Sequence, residues 1–142
     1  MTELTLAKAN TIIETAFAKA AELELKPLGV SVLDAGGHLV AFQRQDGASF
    51  LRHEIGAGKA FGALSLGMGS RTVAKTAIER PHFMQGLSGV SGGRVVPVPG
   101  GVLIRAKSGE ILGAVGISGD TSDNDEAAAI AGIEAAGFTA EG

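Results

Sequence analysis

Two apolar runs joined by a Gly-Gly turn occupy residues 28–44, LGVSVLDAGGHLVAFQR. Both runs, Leu28–Asp34 and His38–Arg44, have the strand-forming composition that borders a hairpin. Tight hairpin turns need a positive φ, which glycine adopts at little cost. The stretch therefore predicts an antiparallel β-hairpin with its turn at residues 35–37. A second hairpin is predicted over residues 102–117.

Helical spacing surrounds the two hairpins. Apolar residues recur at three- and four-residue steps from Leu6 to Ala20, and similar but weaker patterns predict helices over residues 51–66 and 71–79. A last helix is predicted between a cap at Ser122 and Gly137. The segment between the middle helices and the second hairpin is predicted as a Gly- and Ser-rich loop, Gly86–Gly93, followed by a short extended run, Arg94–Val98. Because hairpins imply antiparallel pairing, the sequence predicts one α+β domain over residues 1–142.

Composition excludes several classes of protein. The 142 residues are 45% apolar and 19% charged, which is typical of a globular chain and not of a disordered one. A net charge of −3, with no Trp and no Tyr, argues against a nucleic-acid partner. Without cysteine, disulfides and thiolate chemistry are excluded. The first eight residues lack signal-peptide features and no stretch is long enough to span a membrane, so a cytoplasmic protein is expected.

Glycine is abundant inside the predicted elements, with 22 glycines in the chain. The helix over Leu51–Leu66 and the strand over Ile111–Gly119 carry small residues that bury little area unless another element packs closely on them. We therefore expect close backbone packing at these faces. The same surfaces predict a homo-oligomer, a dimer or a larger species.

The three histidines are the candidate metal ligands in a chain without cysteine. His82 precedes Phe83 and Met84, and His paired with Met or with a second His is common axial chemistry for haem iron. This places His82 first as a metal ligand, against the alternative of an ordinary loop residue. His53 lies on the Gly-rich helix near Lys59 and is a second candidate for ligand binding. His38, beside the hairpin turn, is expected to face solvent.

Two basic residues are candidates for holding an anion. Arg44 ends a strand, where its guanidinium could bind a carboxylate in two-pronged fashion, and Lys59 lies on the next helix. The alternatives are an Arg44–Asp46 ion pair and a solvated Lys59. Element order predicts that Arg44, Lys59 and His82 converge at one sheet edge, beside backbone donors of the Gly86–Gly93 loop.

The acidic residues Asp123, Asp125 and Glu126 open the last predicted helix. Carboxylates in a first helical turn are usually partners of the helix dipole, each contributing about 0.3–1 kcal/mol. We expect this capping role for all three, with cation binding as the alternative.

Several short motifs in order along the chain resemble the GlcG/HbpS family of small haem-binding proteins, from about Leu4 to Gly137. They are Val32–Leu39, Arg44-x-Asp46-Gly47-Ala48, Lys59-Ala60-Phe61, Pro97-x-Pro99-Gly100-Gly101-Val102, Gly113–Gly119 and Asp123–Ala127. The resemblance implies a profilin-like α+β fold, an antiparallel sheet of about five strands flanked by helices. It also implies oligomers, haem as a cofactor and links to redox sensing.

The resemblance and the residues together leave three functions open. The first is a protein that binds haem or another small planar ligand at a subunit interface. The second is an enzyme acting on a small anionic metabolite such as a hydroxy acid, with Arg44 and Lys59 on its carboxylate and His82 or His53 carrying a proton. The third is an accessory subunit. The first predicted helix has no His or Cys, so an iron ligand here is one of the three histidines, a Met, a Thr or water.

Overall fold

The computed structural model describes residues 3–142, so the first two residues of the segment examined for a signal peptide lie outside the described part. Ten regular elements follow one another along the chain. They are α1 (Leu6–Glu22), β1 (Gly29–Asp34), β2 (Leu39–Arg44), α2 (Arg52–Leu66), α3 (Ser70–Glu79), α4 (Pro81–Val90), β3 (Gly101–Arg105), β4 (Ile111–Ser118), α5 (Ser122–Ala135) and β5 (Thr139–Glu141).

The five strands form one antiparallel sheet in the order β2-β1-β4-β3-β5. Both predicted hairpins are present, and Gly37 has a φ of 83° in the turn of the first. The predicted α+β, profilin-like fold, with a sheet of about five strands flanked by helices, is confirmed. The fifth strand comes from residues 139–141, not from the predicted extended run Arg94–Val98. That run leaves the sheet because it lies on α2, where the Val96 N–H donates to the Gly58 carbonyl (3.1 Å).

Alternation along the strands gives the sheet two buried faces. One face packs on α1 and α5, and the other packs on α2. The larger core lies on the α1–α5 side and contains Ile12, Ile13, Ile133, Val30, Val32, Val102, Ile104, Val115 and Ile117. The α2 side is lined by smaller residues, among them Ala60, Ala63 and Ala114.

Glycines let α2 approach the sheet at backbone distance. A Cβ on Gly56 would lie 2.8 Å from the Gly116 carbonyl oxygen, and a Cβ on Gly116 would overlap the Gly56 carbonyl. The expected close packing of the Gly-rich helix is therefore confirmed. The same contact shows that the small-residue faces of α2 and β4 cover each other within the chain. The homo-oligomer that these faces predicted stays a prediction.

The segment predicted as the loop Gly86–Gly93 is mostly helical, so that prediction is wrong. Pro81 is the first residue of α4. At this position the backbone N–H has no partner within the helix, so a proline, which has no N–H, costs no hydrogen bond. Gly86 and Gly89 lie inside α4 although no close contact requires a glycine there, since no atom lies within 4 Å of a Cβ at either position. The turn after the helix also uses its donors, since the Gly93 N–H donates to the Ser88 carbonyl. The backbone donors expected to bind an anion are already occupied.

The predicted cap of the last helix is displaced by one residue. Thr121, not Ser122, caps α5, accepting from the Asn124 N–H (3.2 Å). Ser70 lies inside α3 and is buried, where its hydroxyl donates to the Val98 carbonyl and accepts from the Gly101 N–H, both at 2.7 Å. Its hydroxyl therefore joins three segments and does not cap a helix. None of the helices in residues 3–142 has the length and continuous apolar stretch needed to cross a membrane.

Candidate functional site

A mostly apolar cleft of about 500 Å³ opens between α2, the turn of the first hairpin and the segment after α4. This volume lies within the range of about 300–1,000 Å³ that is common for small-molecule sites. Its walls include His53, Glu54 and Phe61 from α2, Leu33 and Leu39 from the hairpin, and Arg94 and Val96 from the segment after α4.

The spacing of residues on α2 creates the cleft. His53, Ala57 and Phe61 follow one another at four-residue steps, so they lie on one side of the helix. The small Ala57 leaves open the space between the two ring-bearing residues. A Cβ on Gly58 would lie 2.5 Å from a methyl group of Val96, so the segment that carries Arg94 rests directly on the helix. Small residues thus form the floor, and larger ones form the rim.

His53 is the polar ring of the cleft. Its side chain is 38% exposed, and its ring meets Phe42 edge-on with the centroids 4.7 Å apart. Nδ1 lies 4.0 Å from a carboxylate oxygen of Glu54. The imidazole is thus oriented by an aromatic neighbour while remaining accessible from the cleft.

Arg94 lies at another part of the rim. The carbon at the centre of its guanidinium is 4.1 Å from the centroid of the Phe61 ring, and its Nε donates to the Ser91 carbonyl (2.9 Å). The cleft therefore combines an apolar interior with an imidazole, a guanidinium and the carboxylate of Glu54.

Lys59, by contrast, lies in the interior and not in the cleft. Its ammonium donates to the Ile117 carbonyl (2.8 Å) and to Oδ2 of Asp125 (3.1 Å), and both side chains of the pair are buried. Burial lowers the pKa of Lys59, and the Asp125 carboxylate opposes that shift. The alternative of a solvated Lys59 is therefore wrong. The hypothesis that Lys59 holds a ligand stays a prediction, although its ammonium is already paired with the Asp125 carboxylate.

Asp125 also differs from its expected capping role. Its second oxygen accepts from the Asp120 N–H (2.9 Å), and the residue is 1% exposed. Asp123 and Glu126 are bound by the Arg71 guanidinium, which ties the start of α5 to α3. Residues 3–142 gather no cluster of three metal-ligating His, Asp or Glu side chains.

Arg44 and His82 lie away from the apolar cleft. Arg44 is exposed at the end of β2 and lines a more polar cleft of about 550 Å³ with Gln43, Gln45 and Asp46. Within the described chain, Arg44 and Asp46 form no ion pair. His82 is exposed as the second residue of α4.

Of the four predicted site residues, the apolar cleft contains only His53. The convergence of Arg44, Lys59 and His82 stays a prediction. Phe61 and Arg94 were missed as site residues. The signal for Phe61 was its position eight residues after His53, on the same side of a predicted helix. Nothing in the sequence pattern pointed to Arg94.

The fold and cleft define a small antiparallel α+β protein with a ligand-sized apolar site. The family model described as "Haem degrading protein HbpS-like" matches residues 4–134, and the chain belongs to this HbpS-like family, as its motifs indicated.

Three comparisons extend this result. A Citrobacter freundii protein described as an uncharacterized 15.0 kDa protein in the dhaT-dhaS intergenic region is 33% identical over 122 residues, covering 86% of this chain and 84% of that one. The structure of a double mutant of Streptomyces reticuli HbpS is 28% identical, with a TM-score of 0.80 over 94% of this chain and 87% of that one. The structure of a PduOC:heme complex is 24% identical, with a TM-score of 0.85 over 99% of both chains, a likeness of fold.

Proposed function

We propose that this chain binds haem in the apolar cleft beside α2, with the His53 imidazole as the group that meets the iron. The observation that carries the proposal is the cleft itself, about 500 Å³ with a mostly apolar wall and one accessible imidazole. The family description points to haem, and the PduOC complex indicates that this fold is compatible with a bound haem.

The residues of the cleft fit the chemistry of this ligand. A porphyrin ring is flat and apolar. Packing its faces against Leu33, Leu39 and Val96 would remove apolar surface from water and so favour binding. A neutral imidazole is a common ligand of haem iron, and His53 supplies one on the wall. Bound haem would supply a redox-active iron, while the chain binds and orients the ring.

The subunit interface remains part of the proposal. Exposed apolar side chains occur on the cleft wall, where Leu39 is 52% exposed, and just before α2 in the chain, where Phe50 and Leu51 are 77% and 47% exposed. Apolar surface beside a ligand cleft favours a second copy that covers it, since contiguous exposed apolar patches commonly mark interaction sites. A homo-oligomer with the cleft at its interface would keep water from the ligand.

A haemin titration followed by the Soret band tests the proposal. We expect saturation at a simple ratio in the wild-type protein, a changed band and weaker binding in His53→Ala, and wild-type behaviour in the matched variant His38→Ala. The His82→Ala variant tests the metal ligand that the sequence favoured first. If His82→Ala loses the band while His53→Ala keeps it, the iron site lies on α4. If the wild-type protein shows no saturable shift, haem binding is refuted.

The second candidate is an enzyme or accessory protein that acts on a small carboxylate or hydroxy acid. The observation that favours it is the polar cleft around Arg44, whose guanidinium is accessible. A thermal-shift screen of small acids tests it, because a ligand that binds only the folded state raises Tm. We expect any such acid to lose its effect in Arg44→Gln. A screen without an Arg44-dependent shift would remove this candidate.

A further inference from the structure

Arg94 is held in place before any ligand arrives. Its guanidinium stacks on the Phe61 ring at 4.1 Å, and its Nε donates to the Ser91 carbonyl. Two contacts on one long side chain restrict its rotamers, so little further entropy is lost when it binds a partner. The guanidinium is thus preorganised on the rim of the apolar cleft.

The charge of Arg94 is not neutralised by the chain. Its Nη atoms take part in no hydrogen bond or ion pair within residues 3–142, whereas the Arg71 and Arg105 guanidinium groups each bind carboxylates. Planar guanidinium donors bind a carboxylate especially well because two N–H groups can reach its two oxygens. Arg94 therefore presents free, correctly shaped donors to a ligand in the cleft.

Glu54 gives the same rim an opposing charge. It lines the cleft, and one of its carboxylate oxygens lies 4.0 Å from Nδ1 of the His53 imidazole. It lies beyond ion-pair distance from Arg94 in the described chain, so its carboxylate does not cancel that guanidinium. A ligand carboxylate that enters the cleft would be attracted at the Arg94 side and repelled at the Glu54 side.

We propose that Arg94 is the residue that makes the cleft select planar ligands carrying a carboxylate over neutral ones of the same shape. The inference rests on the proposed function in one respect, that the cleft takes a flat apolar ligand. It adds that the preferred ligand carries a carboxylate and that the Arg94 guanidinium binds this carboxylate. Glu54 weakens the selection without reversing it.

The test compares metal-free protoporphyrin IX with its dimethyl ester, which has the same ring but no carboxylate. Binding is followed by porphyrin fluorescence and by the shift in Tm. We expect the wild-type protein to prefer the acid by about ten-fold, the effect of one partly exposed charge-assisted contact. In Arg94→Gln the acid should weaken to the level of the ester, with the ester unchanged. In Glu54→Gln the preference for the acid should increase.

The preference should also decrease in 1 M salt, where the screening length is about 3 Å instead of about 10 Å at 0.1 M. Equal affinity of the wild-type protein for acid and ester would overturn the inference while leaving flat-ligand binding intact. Equal weakening of both in Arg94→Gln would assign Arg94 a packing role only. If neither porphyrin binds, this inference is refuted, whereas the proposed function is refuted only when the haemin titration also shows no saturable shift. Because no iron is present, a failure of His53 as an iron ligand leaves the comparison valid.

Discussion

Replacing Asp125 by Asn separates a buried ion pair from a surface helix cap. The Asp125 carboxylate is 1% exposed and joins the Lys59 ammonium to the backbone at Asp120. A residue that only complements the helix dipole contributes about 0.3–1 kcal/mol. The geometry predicts a larger effect, because Asp125→Asn leaves a buried lysine without its counter-charge.

The magnitude follows from the burial of both partners. Removing one member of a buried pair usually costs about 3–5 kcal/mol, mostly because the remaining charge is left in a poorly solvated site. For a chain of this size, that loss lowers Tm by roughly 10–20 °C. The Ile117 carbonyl still accepts from Lys59, but a carbonyl dipole does not replace a carboxylate.

The assay is urea unfolding of the wild-type protein, Asp125→Asn and the matched variant Asp123→Asn. Asp123 lies in the same helical turn, but its side chain is 78% exposed and its partner Arg71 is at the surface. We expect Asp123→Asn to cost at most about 1 kcal/mol. In addition, Lys59→Met combined with Asp125→Asn should be less destabilised than the sum of the single variants.

Two results would refute the reasoning. If the Asp125→Asn and Asp123→Asn proteins unfold within about 0.5 kcal/mol of each other, the helix-dipole role is sufficient. If the Lys59→Met and Asp125→Asn effects simply add, the two groups do not stabilise each other in the folded chain.

Three further predictions test the fold and the assembly. Gly116→Ala should lower the free energy of unfolding in urea by about 3 kcal/mol or more, because its Cβ would overlap the Gly56 carbonyl. The control Gly86→Ala, in the exposed helix α4, should raise it by up to about 1 kcal/mol. Equal effects of the two substitutions would contradict the close approach of α2 to the sheet. Hydrogen bonds from Asn124 and from the Lys26 N–H lower the pKa of Asp120 to about 2, from 3.8. Its carboxylate therefore stabilises the fold above pH 3.8, and this contribution is lost as the pH falls through 2. Asp120→Asn should flatten the decrease of Tm across this window, and an unchanged slope would exclude the effect. Light scattering at micromolar concentration should give a mass of at least twice 14.2 kDa, and a monomer mass would refute the homo-oligomer.

Local patterns were sufficient for most of the fold. The Gly-Gly turn and the alternation around it predicted the first hairpin, and the apolar periodicity of α1, capped by Thr5, predicted that helix. They failed for α4, where glycine content suggested a loop although Pro81 starts a helix at little cost. They also missed β5, since three residues at an edge carry too little pattern to be recognised.

The candidate site was predictable only in part. His53 could be selected as one of three histidines in a chain without cysteine. Arg94 could not, because its place in the same cleft as His53 depends on contacts between segments that are 41 positions apart. The structure also gave Lys59 a carboxylate partner 66 residues away, which no local spacing indicates.

The sequence by itself determined the antiparallel α+β class, the family and the set of possible iron ligands, because these depend on residue type and on spacing within one element. Only the tertiary structure decided that α2 and β4 pack through Gly56 and Gly116, that Lys59 and Asp125 form a buried pair, and that His53 and Arg94 line one cleft. The physical reason is that burial and the pairing of charges depend on which distant segments meet. From the sequence alone, a lysine whose ammonium faces water cannot be distinguished from one that faces a ligand or a buried carboxylate.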